Sequence, residues 1–363
     1  MSNPATEALG IAVAARVPVL LWGAPGTGKT SAIRAMARAM GLPCETVIAS
    51  IREPSDFAGL PVISGGSVHF APPLWATRLA EAGTGLLFLD ELTTAPPAVQ
   101  AALLRVVLER TVGDLTLPDE VAVVAAANPP EQAADGWDLS APLANRLCHL
   151  AWEATPRSIA DGLAGGWATP SVPLLPDGWE AGEQALRGIV AAFLQVRPAL
   201  AIAPPGNAAD AGRGWPSPRT WEMAARLLTA ADCADAADAT RSALVRGAVG
   251  DGAGTEFLAW LTEMDLPDPE EVLADPDKFQ LPERGDRAYA ALASIAAAVA
   301  ARPTAERWAA GWRVLGACAQ AAPDVAAVAA RVLAQCRPDD IRQMPPEVVM
   351  FAPLLRDAGL LGS

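Results

Sequence analysis

The chain is poor in the residues that build metal centres and disulfide frames. It has two histidines, His69 and His149, and five cysteines, Cys44, Cys148, Cys233, Cys318 and Cys336. No two cysteines stand in a C-x-x-C spacing, and their number is odd. That pattern argues against a metal site or a disulfide framework and for reduced core thiols in a cytoplasmic protein. Long apolar runs are also missing. Gly10–Trp22 is broken by Arg16, and Tyr289–Ala301 is short and dominated by alanine, so no segment reaches membrane-spanning length. No basic stretch precedes an apolar one at the start, so no signal peptide is expected. Positive charge is in deficit: 27 Lys and Arg stand against 41 Asp and Glu, for a net charge of −14. A surface made to wrap a polyanion would be basic, so nucleic acid is disfavoured as a partner.

What is present is enough for two or three compact units: 363 residues, 52% of them hydrophobic. Up to about residue 155, strand-like and helix-like segments alternate, as in a parallel sheet covered on both faces. Five short apolar runs stand out: Val17–Leu21, Glu45–Ile48, Leu86–Leu89, Val121–Ala127 and Leu147–Trp152. Their continuous apolarity suits strands buried on both faces. Helical spacing marks Ser31–Met40 and Pro97–Glu109. In the second of these, Val99, Leu103, Val106 and Val107 form one stripe. Turn chemistry places β-hairpins at Leu60–Phe70 and at Thr111–Leu117. Beyond Glu153, helices are expected over Ala181–Val196 and Thr220–Ala231, and again from about residue 251, with a linker around 263–285 marked by Pro-Asp spacers.

Residues 23–30 read Gly-Ala-Pro-Gly-Thr-Gly-Lys-Thr, directly after the first apolar run. This is the full G-x-x-x-x-G-K-[ST] phosphate cradle, set where a strand hands over to a helix. Gly23, Gly26 and Gly28 let the backbone curl around an anion, with Ala24, Pro25 and Thr27 between them. The helix opening at Lys29, Thr30 and Ser31 adds its positive dipole end. Lys29 is expected to reach the terminal phosphates and the Thr30 hydroxyl to ligate Mg²⁺. Some sixty residues later, Leu86–Leu89 ends in Asp90-Glu91. Asp90 at the strand tip would hold the metal, and Glu91 would polarise an attacking water. Val121–Ala127 ends in Asn128-Pro129, which puts an amide at a neighbouring strand tip, or merely a turn.

Taken in order, Gly23–Thr30, Asp90-Glu91, Asn128, Leu143-Ala144-Asn145-Arg146 and Ser217-Pro218-Arg219 resemble the motifs of AAA+ ATPases, and the MoxR branch above all. Glu53–Gly59, the hairpin after it and Thr93–Leu104 resemble that branch's insert and the helix after the carboxylates. The resemblance covers roughly residues 10–250. It implies a P-loop NTPase α/β fold with a five-stranded parallel sheet over 1–155, an all-α lid over 156–250, and a C-terminal helical region over 251–363. It also implies ATP and Mg²⁺ as ligands, Asn128 as sensor 1, Arg146 as an arginine finger with Arg157 as fallback, and Arg219 as sensor 2. Self-association into a ring, usually a hexamer, follows, as do a protein client and a partner with a von Willebrand A-type domain. Asn145 and Leu147 stand where the family usually has Asp and Phe. Phe57, Phe70 and Trp75 are open to two readings, client contacts or buried packing. Three other readings compete with a remodelling ATPase: a small-molecule kinase, a nucleotide-binding scaffold with little hydrolysis, and a DNA-directed motor.

Overall fold

The computed structural model describes residues 4–129, 136–167, 169–338, 341, 344–357 and 359–360. Its strands are β1 (Val19–Trp22), β2 (Cys44–Ile48), β3 (Leu60–Ser64), β4 (Ser67–Ala71), β5 (Gly85–Asp90), β6 (Thr111–Val112), β7 (Leu115–Thr116), β8 (Val121–Ala127) and β9 (Cys148–Ala151). Five of them form one parallel sheet in the order β2-β5-β8-β1-β9. The five apolar runs are these five strands: Val121–Ala127 matches β8 at both ends, and the other four differ by a residue or two. β1 and β8 are buried along their whole length, which is why their sequences do not alternate.

Helices cover the sheet through narrow apolar stripes. Lys29–Ala39 buries Ile33, Met36 and Ala37, while Pro97–Glu109 buries the expected Val99, Leu103, Val106 and Val107. The register pairs Trp22 with Ala127 and Leu89 with Ala125. Gly23, Asp90 and Asn128 therefore leave the sheet at the same edge, the carboxyl ends of its strands, where open α/β sheets bind ligands.

Both hairpins form. β3 and β4 pair antiparallel around Gly65-Gly66, both at positive φ, which is the geometry of a two-residue hairpin turn. β6 pairs with β7, and the Asp114 carboxylate accepts from Phe70 N at 2.8 Å while Asp114 N donates to Phe70 O at 2.9 Å. One hairpin is thereby stitched to the other. Phe57 and Trp75 are buried and pack on each other, so packing accounts for them. Phe70 is exposed.

The chain divides into two compact units, residues 1–176 with 202–255, and residues 177–201 with 256–363. Residues 177–201, expected within the 156–250 segment, thus belong with the C-terminal helices. The second unit is all helix in its described residues, with Glu183–Val196, Gly285–Ala301, Ala305–Cys318 and Pro323–Gln335 as its long members. Its core is built on Trp308, Trp312, Leu292, Ile295 and Leu333. Helices Glu183–Val196 and Gly285–Ala301 approach so closely that a Cβ at Gly188 would lie 2.4 Å from that of Ala293.

Two expectations need correcting. The stretch 263–285 is not a plain linker. Asp268 caps a helix over Pro269–Ala274 by accepting from Glu270 N at 2.9 Å, and Val272 and Leu273 join the core. Proline in a first turn starts a helix as readily as it spaces a linker. Nor are all five thiols in the core: Cys148 and Cys318 are buried, whereas Cys233 is exposed.

Candidate nucleotide site

Gly28 is the residue before the helix Lys29–Ala39 and has φ 85°, a left-handed conformation that glycine adopts without strain. Gly23 is needed for a different reason. A Cβ there would lie 2.4 Å from Trp152 O, so the loop's first glycine is fixed by close approach. Thr27 Oγ1 donates to Ala24 O at 2.8 Å, and Trp152 Nε1 donates to Thr27 O at 3.2 Å. The cradle is thus braced from inside and from the end of β9.

Lys29 is only 8% exposed. Its ammonium donates to Gly23 O at 2.6 Å, Ala24 O at 3.0 Å and Asn128 Oδ1 at 3.2 Å. Burial lowers its pKa from the ordinary amine value, and the charge of Asp90 opposes that shift. Thr30 Oγ1 donates to Asp90 Oδ2 at 2.8 Å. Lys29, Thr30, Asp90 and Asn128, from two strand tips and a helix start, therefore converge. A hydroxyl and a carboxylate oxygen in contact are the hard donors that Mg²⁺ takes alongside phosphate and water, so these residues fit the metal. Among the described residues no group of three or more His, Cys, Asp or Glu could hold a metal by itself.

Glu91 follows Asp90 with φ 58°, an unusual backbone for a non-glycine residue and one that tends to persist at functional sites. The Ser50 hydroxyl donates to Glu91 Oε2, while Glu91 O accepts from Thr94 Oγ1 at 2.8 Å. Thr93, buried, donates to Asn128 O at 3.4 Å. Ser50 carries no spacing signal in the sequence, and Thr93 is marked there only as the first residue of the Thr93–Leu104 segment.

The two arginines lie apart from this hydrogen-bond network. Arg146 donates to Pro142 O, and its Nε is buried without a partner among the described residues. Its pKa is lowered by burial first and by the positive charge of Arg219 second, so the two guanidiniums feel each other. Arg219 sits exposed in the first turn of the helix Pro218–Cys233. Arg157 is a surface residue, its side chain 92% exposed and paired with Asp161 at 3.8 Å.

A second polar chain was not foreseen. Trp22 Nε1 donates to His149 Nδ1 at 2.8 Å, so Nε2 carries the proton and donates to Ala144 O at 2.9 Å. Burial pushes the His149 pKa down to about 4, keeping it neutral. The Arg213 guanidinium lies 3.7 Å from the Trp22 ring centre. A cleft of about 360 Å³ opens beside them, lined in part by Arg246, Gly247 and Asp251.

Residues 18–146 match the family model described as "ATPase family associated with various cellular activities (AAA)". "Chaperone MoxR1" of Mycobacterium tuberculosis (strain ATCC 25618 / H37Rv) is 34% identical over 118 residues, covering 31% of this chain and 30% of that protein. "Pathogenicity locus probable regulatory protein WtsA" of Pantoea stewartii subsp. stewartii is 31% identical over 125 residues, covering 31% of this chain and 38% of that protein. The chain therefore spans about a third of the length of these curated relatives. Among solved structures, a full-length MCM homolog from Methanopyrus kandleri is 20% identical over 70% of this chain and 54% of its own, with a TM-score of 0.39, too low to bear on function. Residues 18–146 are thus similar to the AAA family of ATPases, and about a third of the chain is similar to a chaperone of the MoxR type.

Proposed function

We propose that the protein binds ATP with Mg²⁺ in the Gly23–Thr30 cradle, hydrolyses it in a self-assembled ring, and uses the cycle to remodel or activate a partner protein. The observation that carries this reading is the convergence of Lys29, Thr30, Asp90 and Asn128 at one end of the sheet. Lys29 would exchange its carbonyl partners for the β- and γ-phosphates. Thr30 and Asp90 would hold Mg²⁺, whose chemistry is to neutralise charge on the phosphate oxygens. Glu91 would orient and polarise the attacking water, and Asn128 would fix the γ-phosphate end. Arg146, outside the cradle's own hydrogen bonds, would enter a neighbouring protomer's site, with Arg219 acting on the nucleotide from the helix Pro218–Cys233.

The exposed β3–β4 hairpin offers Ile63, Val68 and Phe70 to solvent, which suits contact with a client. A hexamer in the cytoplasm working with a von Willebrand A-type partner is the arrangement the family resemblance implies. The test is phosphate release by purified protein without any added acceptor, which separates this reading from a kinase. Glu91→Gln should cut that release by about two to four orders of magnitude while ATP still binds. Normal turnover by the variant would remove Glu91 from the role.

A further inference from the structure

Resting on that reading, we infer that Asn145 is a positioning residue that clasps the Arg146 segment to the helix carrying Arg219, so that the two arginines move as one mount. Asn145 is 4% exposed, and both arms of its amide reach across to the start of that helix. Nδ2 donates to Trp215 O at 3.2 Å, and Oδ1 accepts from Ser217 Oγ at 2.9 Å.

Ser217 is the cap of the helix Pro218–Cys233. Its hydroxyl accepts from Thr220 N at 3.3 Å, while Thr220 Oγ1 accepts from Ser217 N at 2.8 Å and donates to Trp215 O at 2.9 Å. Ser217 and Thr220 are themselves 7% and 0% exposed. A buried network in which each member has its partner resists sliding, because any displacement strands a polar atom away from water. The residues it joins are Arg146, next to Asn145, and Arg219, two residues after the cap.

The amide is also the side chain these partners ask for. An aspartate, isosteric with Asn145, would turn a second acceptor toward Trp215 O and lose the donated bond. The residue before the finger, a departure from the family's usual aspartate, thus has a defined task here. Nucleotide sensed by Arg219 in one protomer would reset the Arg146 that the same protomer delivers to its neighbour. Hydrolysis in adjacent sites is coupled through one clasp.

The test uses the full chain with three variants, Asn145→Asp, Ser217→Asp and their combination. Ser217→Asp keeps an oxygen for the helix cap but has no proton for Asn145. ATP turnover is followed against ATP concentration, and binding is measured separately with a fluorescent ATP analogue. Each single variant should lose about tenfold in maximal turnover and flatten the sigmoidal dependence on ATP, with analogue affinity within about twofold of wild type. The double variant should be no worse than the poorer single one. Unchanged turnover and cooperativity, or losses that multiply in the double variant, would overturn the clasp. If an aspartate blocks folding, Asn145→Ser carries the same expectation. Full activity of Lys29→Ala would instead sink the nucleotide reading itself. A dead Lys29→Ala beside unaffected Asn145 variants sinks the clasp alone.

Discussion

In the unit built on the sheet, buried polar side chains are numerous: Lys29, Thr93, Asn145, Ser217 and Thr220 are all under a tenth exposed. In the helical unit, Glu183 and Ser294 are the buried polar residues among those described. That unit places charges in groups such as exposed Glu270 and Arg302 with the half-buried Arg307, and its volume in Trp308 and Trp312, both fully buried. Burying a polar group costs stability unless it is hydrogen-bonded, and even then gains little. Lys29 and Thr93, both bonded to Asn128, lie at the carboxyl edge of the sheet, where open α/β sheets bind ligands. The helical unit is organised for packing.

The contrast is sharpened most strongly by Trp308→Ala. It removes a side chain with no exposure, together with the bond from its Nε1 to Leu333 O at 2.7 Å. The expected loss is about 3–5 kcal/mol of stability in that unit, read by thermal or urea denaturation. Binding of an ATP analogue to the folded fraction should persist. Loss of nucleotide binding in protein that remains folded would show that the division of labour is wrong.

A smaller effect belongs to His149 in the sheet unit. Its pKa falls from the usual 6.5 to about 4 on folding, so between those values the unfolded chain binds the proton that the folded chain refuses. The stability contributed by the neutral ring is complete above about pH 6.5 and is lost as pH falls toward 4. The loss should reach about 2 kcal/mol by pH 5. Urea midpoints at pH 7 and pH 5 should diverge for wild type, and the divergence should shrink in His149→Gln. Equal slopes would mean that the ring is not held neutral.

The smallest effect is expected at the hairpin. Ile63 is 80% exposed, so Ile63→Ser should change stability by no more than about 0.5 kcal/mol and leave basal ATP turnover intact. A large loss of stability would mean that the hairpin is part of a core.

Much of this was legible in the sequence, for physical reasons. Strands buried on both faces write themselves as unbroken apolar runs, and the residues that leave their carboxyl ends, Gly23, Asp90 and Asn128, are found by reading one step further. The turn at Gly65-Gly66 announced its hairpin because only glycine adopts both conformations readily. Contacts made across distance were not legible. Asn145 meets Trp215 and Ser217, Ser50 meets Glu91, and Trp152 meets Thr27, and no local pattern encodes such meetings. The partner of an amphipathic helix is equally silent: the pattern marks a helix over Ala181–Val196, which forms over Glu183–Val196, but its stripe does not say which unit receives it. At Asp268-Pro269 the same residues serve as a helix cap and as a spacer signal, since turn residues and helix-start residues are chemically alike.

The most direct test of the central claim, one triphosphate site completed by an arginine from next door, is a mixing experiment. Arg146→Ala and Glu91→Gln proteins are each assayed alone for ATP hydrolysis, then mixed under conditions that allow subunits to exchange. Each should be nearly inactive alone, and the mixture should recover a substantial part of wild-type turnover, because an intact Glu91 site then meets an intact Arg146. A mixture no more active than its components, although exchange is verified by mass, would contradict the claim.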